Sequence, residues 1–152
     1  MNLLETEGLA CRFGAKEAVK GLDLILAEGD LVGLIGPDGA GKTTTFRLLV
    51  GLQARTGGQL YRHLEPARIG YVPQVFSLAP ELTVAENLRL QAGLFNLPDP
   101  EPRIRRLLAS VDLEPFRDRA SGALSGGMKQ KLALCAALLT EPRLLLLDEP
   151  TT

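Results

Sequence analysis

Between Asp30 and Leu52 the chain reads DLVGLIGPDGAGKTTTFRLLVGL, and few folds accommodate that order of residues. DLVGLIG is continuously apolar between its ends, the pattern of a strand buried on both faces. A glycine-rich turn follows, and KTTTFRLLVGL then has the apolar spacing of a helix. GPDGAGKT, Gly36 to Thr43, matches G-x-x-x-x-G-K-[ST] in the strand, turn and helix context which that motif requires. Gly36, Gly39 and Gly41 let the backbone curl with its amide hydrogens inward, Pro37, Asp38 and Ala40 fill the positions between, and the helix starting near Lys42 adds its positive dipole end. Lys42 is long enough to reach outer phosphates. The hydroxyl of Thr43 is placed to ligate Mg²⁺, and Thr44 completes the residues expected at the nucleotide. A glycine-rich turn with a solvated lysine is the bland alternative, and the strand before and helix after weigh against it. A nucleoside triphosphate is the ligand this stretch implies.

The segment LLLLDEPTT, Leu144 to Thr152, reads as a buried strand that delivers Asp148 and Glu149 to its tip. In a parallel sheet the carboxyl ends of the strands share one edge, so these acids are expected beside the loop that follows Asp30 to Gly36. Asp148 suits a Mg²⁺ shell, and Glu149 suits the polarisation of an attacking water. A surface acid pair or a helix cap is the alternative for an isolated DE.

The remaining segments build around these two. Leu3 to Phe13 and Gly21 to Ala27 flank the turn-like GAKE and predict a small antiparallel sheet. Gly57 and Gly58 punctuate, RIGYVPQ (Arg68 to Gln74) reads as another strand, and the chain then becomes helical to about Ser121. Thr83 and Glu86 form a capping box for the helix in LTVAENLRLQAGLF. A second helix starts near DPEP, and Ser125 caps a third, which ends before Pro142. The expected fold class is α/β, a P-loop NTPase with a parallel core sheet, a small N-terminal antiparallel β subdomain and an inserted helical subdomain. All of it forms one domain, 1–152, with the helical subdomain at about 83–121 and the helix after Ser125 at about 126–139. Seventeen Lys and Arg against eighteen Asp and Glu leave a formal charge of -1, so no global positive field points to nucleic acid. Cys11 and Cys135 have no metal or redox spacing, and the amino end MNLLETEGLA carries acids where a secretory leader carries bases; both fit a reducing cytoplasm. The apolar run LALCAALL, Leu132 to Leu139, falls short of the roughly 18 residues of a membrane span.

LSGGMKQK, Leu124 to Lys131, discriminates among P-loop proteins. Taken alone, Ser125 is an N-cap and Gly126 and Gly127 a tight helix entry. Together with a phosphate loop upstream and an acid pair about twenty residues downstream, it resembles the signature of ABC-type ATPases. The resemblance covers essentially the whole chain and is most similar to ATP-binding subunits of bacterial ABC-2 type exporters. It implies ATP and Mg²⁺ as cofactors. It implies that Gln74 of YVPQ is the glutamine that meets metal and nucleotide, and that Phe13 stacks on adenine. Glu149, Lys42 and Gln74 then carry catalysis; Thr43, Gln74 and Asp148 hold the metal; and Ser125, Gly126 and Gly127 contact nucleotide. Asp38 stands where the family more often has asparagine, and is expected to face solvent or bond across a dimer. The helix after Ser125 runs about 20 Å, which holds Ser125 away from its own chain's phosphates and suits ATP on a second subunit in a head-to-tail pair. The family's helical block docks on transmembrane permease subunits, which implies a peripheral location on the cytoplasmic face of the inner membrane.

Family members continue past the acids with another parallel strand and a histidine that senses the outermost phosphate. The only histidine here, His63, precedes Gln74 and reads as a surface residue. The expectation is therefore a fold incomplete at its carboxyl end. Two functions stay open, an ATPase subunit that powers a membrane exporter and a nucleotide-binding fragment without hydrolytic activity. The Phe13 assignment is tested by Phe13→Ala, which should weaken ATP by about 1 kcal/mol and spare tripolyphosphate, which has no base to stack; parallel titrations with the two ligands measure both.

Overall fold

A computed structural model describes residues 1–149; the proline and threonines that close LLLLDEPTT lie outside the described residues. The chain divides into two compact units with the boundary between Ile69 and Gly70.

The first unit is an antiparallel sheet and one helix. Strands β1 (Asn2–Phe13), β2 (Lys16–Ala27) and β3 (Gly57–Arg62) pair in the order β2-β1-β3. The expected antiparallel sheet is present, with a tighter turn than expected: β2 already starts at Lys16, and Gly14 takes φ 57° to make the reversal. Along β1 the buried side chains are Leu3, Leu4 and Thr6, then Leu9 and Cys11. Alternation thus changes phase between Thr6 and Leu9, where the register with β2 also shifts. Such a bulge lets one strand keep its apolar face inward on both sides of an irregularity. Here Gly8 takes φ 56° and donates its N–H to Asp23 Oδ1 at 2.6 Å. Strand β3 is an addition to the expected elements. Its two leading glycines have low strand propensity, yet Gly58 is required there. At φ 74° it packs so closely on Gly8 that a Cβ would lie 2.1 Å from the Gly8 carbonyl oxygen.

Helix α1 (Lys42–Val50) ends on Gly51 at φ 86°. The guanidinium of Arg62, reaching from the end of β3, donates to the carbonyls of Leu49 (2.8 Å) and Leu48 (2.9 Å). The terminal acceptors of the helix are thereby satisfied by another element. One expectation fails in this unit. Asp30 to Gly36 forms no strand, and Leu31 and Ile35 are 101% and 95% exposed. A strand exists by virtue of a hydrogen-bonded neighbour, and among the described residues none pairs with this segment, so its apolar composition alone does not order it as one.

The second unit pairs β4 (Ile69–Val72) with β5 (Leu144–Leu147) as a parallel sheet. Between them in sequence come α2 (Val84–Leu94), α3 (Glu101–Ser110) and α4 (Gly126–Leu138). Val84, Leu88 and Ala92 of α2, Ile104 and Leu108 of α3, and Leu132, Cys135 and Ala136 of α4 make one core. Their i, i+3 and i, i+4 spacing defines the apolar stripe of each helix. Both predicted caps form. Thr83 Oγ1 accepts from the Glu86 N–H at 3.2 Å while Glu86 Oε2 accepts from the Thr83 N–H at 2.8 Å, and Ser125 Oγ accepts from the Met128 N–H at 3.3 Å. The leucine strand is less enclosed than expected, for Leu146 is buried and Leu147 is 38% exposed.

A polar hub ties the start of α2 to the chain just before α4. Asn87, 2% exposed, donates Nδ2 to the carbonyls of Ala79 (2.9 Å), Leu82 (3.2 Å) and Thr83 (3.1 Å) and to Ser121 Oγ (3.2 Å), and accepts from the Ala79 N–H at 2.9 Å. Ser121, fully buried, donates its hydroxyl to Ala79 O at 2.8 Å. Backbone bonds from Ser121 to Leu82 and from Gly122 to Pro80 continue the seam. Truncating the hub leaves buried acceptors without donors, so Asn87→Ala should destabilise this unit by roughly 2–4 kcal/mol, read as a lowered urea midpoint at unchanged slope.

Candidate nucleotide-binding site

The phosphate loop lies in the first unit. Gly39 and Gly41 take φ 77° and 96°, and Gly41 is the N-cap of α1. A Cβ at Gly41 would meet the Ala18 carbonyl oxygen at 2.1 Å; glycine is therefore required both for its dihedral and for the approach of the loop to β2. Gly36 sits more loosely, a Cβ there meeting that of Ala40 at 3.1 Å. No side chain caps the start of α1, and its first turn holds no acid. The orphan N–H groups and positive dipole end are thus left to a ligand anion. Lys42 is folded over the loop, its Nζ donating to the carbonyls of Gly36 (2.7 Å) and Pro37 (3.1 Å). Behind it the buried Thr45 donates its hydroxyl to Gly41 O at 2.9 Å and fixes the first turn, while Thr43 and Thr44 remain partly accessible and Asp38 and Pro37 are exposed. Phe13 ends β1 with 48% of its surface exposed, which leaves its ring accessible to a planar partner.

The second unit brings together Gln74, Asp148, Glu149 and the residues after Ser125. Gln74 Nε2 donates to Glu149 Oε2 at 2.8 Å. Glu149 takes φ 48°, uncommon for a residue with a side chain. Its neighbour points the other way. Asp148 is 1% exposed, its N–H donating to Val72 O at 2.9 Å and its Oδ2 accepting from the Tyr71 hydroxyl at 3.4 Å. Oδ1 is buried with no hydrogen-bond partner. Gln74, Glu149 and Gly126 line a cavity of about 180 Å³ together with Phe76 and Lys129, and the Lys129 ammonium lies 5.6 Å over the Phe76 ring. Ser125, Gly126 and Gly127 are exposed at the start of α4.

Chemically, the first unit offers amide donors and an ammonium, and the second offers one buried carboxylate and one exposed carboxylate. A lone buried carboxylate oxygen without a donor fits a cation. Among the described residues no three His, Cys, Asp or Glu cluster as a metal cage. A single carboxylate oxygen supplies one ligand, and Mg²⁺ is commonly bound by one or two carboxylates together with phosphates and water. Cys135 is not part of this chemistry: burial pushes its thiol up to about 11. Tyr71, Asn87 and Ser121 escaped the sequence reading. The available signal for Asn87 was an amide four residues after an N-cap, on the apolar side of α2.

Comparison with known proteins follows the same lines. The family model described as ABC transporter matches residues 19–152. The chain is 41% identical to the sulfate/thiosulfate import ATP-binding protein CysA of Methylococcus capsulatus, over 97% of this chain and 46% of that protein. It is 40% identical to the Nod factor export ATP-binding protein I of Ralstonia nicotianae, over 99% of this chain and 50% of that protein. It thus spans about half the length of these curated relatives. Among solved structures, an ATP binding subunit of an ABC transporter matches with TM-score 0.88 and 33% identity, over 97% of this chain and 66% of that one. A nucleotide-free ATP-binding cassette matches with TM-score 0.80 and 28% identity, over 100% of this chain and 70% of that one.

If the ammonium now resting on Gly36 and Pro37 turns to phosphate when nucleotide arrives, Lys42→Ala removes a charge-assisted contact worth about 3 kcal/mol. ATP affinity should fall about 100-fold in calorimetric titration, and an unchanged value would remove the loop from nucleotide binding.

Proposed function

The chain belongs to the ABC transporter family, and we propose that it binds ATP with Mg²⁺ and hydrolyses it to drive a substrate across a membrane. The observation that carries this reading is the loop at Gly36 to Thr43. Gly41 is locked by its approach to Ala18, the N-terminus of α1 is uncapped, and Lys42 rests on its own loop carbonyls. A triphosphate would lie along that loop, with Gly36, Gly39, Ala40, Gly41 and Thr44 giving it backbone donors, Lys42 reaching the outer phosphates and Phe13 stacking on adenine.

Thr43, Gln74 and Asp148 are the residues that would hold Mg²⁺, which would neutralise phosphate charge. Glu149 takes the proton of the attacking water. In this structure Glu149 is held by Gln74, so the same glutamine that meets the metal also orients the base. Ser125, Gly126 and Gly127 serve ATP bound to a second subunit, so that two chains in head-to-tail array enclose two nucleotides. Transmembrane permease subunits dock on the helical block at about 83–121, which carries the exposed apolar Leu90, Leu94 and Phe95. No helix among the described residues is long and apolar enough to cross a membrane. The membrane partner supplies the pathway, and the chain sits on its cytoplasmic face. Export is the direction we favour, on the wording of LSGGMKQK and LTVAENL; a relative named for import and one named for export are 41% and 40% identical to this chain.

Glu149→Gln preserves size and the hydrogen bond to Gln74 but cannot accept a proton. It should keep ATP binding and lower phosphate release by about 100-fold or more. Turnover equal to the unaltered protein would take the base assignment away from Glu149. Absence of release from both would favour a nucleotide-binding protein without hydrolysis.

A further inference from the structure

Asp148 is anchored through its backbone and open at one side-chain oxygen. The N–H bond to Val72 O fixes its main chain to the end of β4, but the terminal torsion of an aspartate is a broad, two-fold rotor that backbone anchoring leaves soft. Something else must decide which oxygen faces which way. The Tyr71 hydroxyl, one residue before Val72 on the same strand, donates to Oδ2 at 3.4 Å. Oδ1 is left buried and without a partner. At that length the bond is weak for O–H···O, so its value lies in direction.

We propose that Tyr71 is a positioning residue for the metal step, holding the Asp148 carboxylate so that Oδ1 is the oxygen offered to Mg²⁺. The inference rests on the reading of Asp148 as a metal-shell residue given above and adds a residue to it. In this role Tyr71 would contact the carboxylate and not the metal or the nucleotide. It acts as outer-shell donors to ligating carboxylates do, by fixing their orientation, and loss of such a donor typically lowers metal affinity 10- to 100-fold. The long contact places the expectation at the lower end. Strand geometry explains why this side chain can do it. Tyr71 and Asp148 lie 77 residues apart in sequence, and the pairing of β4 with β5 makes them neighbours.

The test is Tyr71→Phe, which keeps the ring and deletes the hydroxyl. Binding of ATP to the purified protein is followed by calorimetry in EDTA and again as MgCl₂ is titrated in, for the unaltered protein, Tyr71→Phe and Asp148→Asn. The half-saturating Mg²⁺ concentration should rise about tenfold in Tyr71→Phe while ATP binding in EDTA stays the same. An identical Mg²⁺ curve overturns the inference, and so does an equal loss with and without Mg²⁺, which would make Tyr71 a packing residue. If the unaltered protein and Asp148→Asn bind ATP alike at every Mg²⁺ concentration, the metal reading of Asp148 itself fails, an outcome distinguishable from failure at Tyr71 alone.

Discussion

Two backbone carbonyls, those of Gly8 and Ala18, occupy the space where a Cβ at position 58 or 41 would have to be. Hard-sphere exclusion of this kind tolerates no adjustment, because neither party is a flexible side chain. At Gly58 it lets β3 lie against the bulge of β1, and the bulge is what keeps Leu4 and Leu9 on one buried face despite their odd separation. At Gly41 it seats the loop against β2 and sets where α1 begins. The first unit is in this sense assembled around close backbone approaches, with Arg62 closing the far end of the helix. The second unit is organised by polar burial, in which Asn87 and Ser121 satisfy the irregular chain before α2 and before α4 at once. A fully bonded buried network admits one arrangement where apolar packing alone admits several.

Local rules were well expressed in the residues. The capping box at Thr83 and Glu86, the Ser125 cap, the first hairpin and the helix after the loop can each be read from fewer than a dozen neighbouring residues. The sequence reading misled where structure depends on distant partners. DLVGLIG has the composition of a buried strand, but pairing is a relation between segments, and a run of apolar residues says nothing of its neighbour. Strand β3 is the reverse case. GGQLYR lacks strand composition and is held by β1.

At the site, residue types and spacing pointed to the loop and the acids, and the family resemblance pointed to Gln74. The different settings of two adjacent acids were not legible. Asp148 is buried and Glu149 exposed, and the backbone turns into the left-handed region between them. Adjacent identical charges thereby acquire different chemistry, one suited to a cation and one to a water. Nor could spacing foretell that Gln74 would reach Glu149, or that the entry to α4 would line the same cavity. These are meetings of segments separated by the whole helical region.

The wide separation of β4 and β5 also governs the order of events during folding. Antiparallel β1 and β2 join through a turn at Gly14 and can form quickly, since the loop to be closed is short. The β4 to β5 ladder joins residues as far apart as Tyr71 and Asp148, 77 positions along the chain, and its closure entropy falls only once α2, α3 and α4 have condensed between them. The acid pair is consequently among the last features to reach its native surroundings. Partly folded chains would carry a formed hairpin without placed carboxylates.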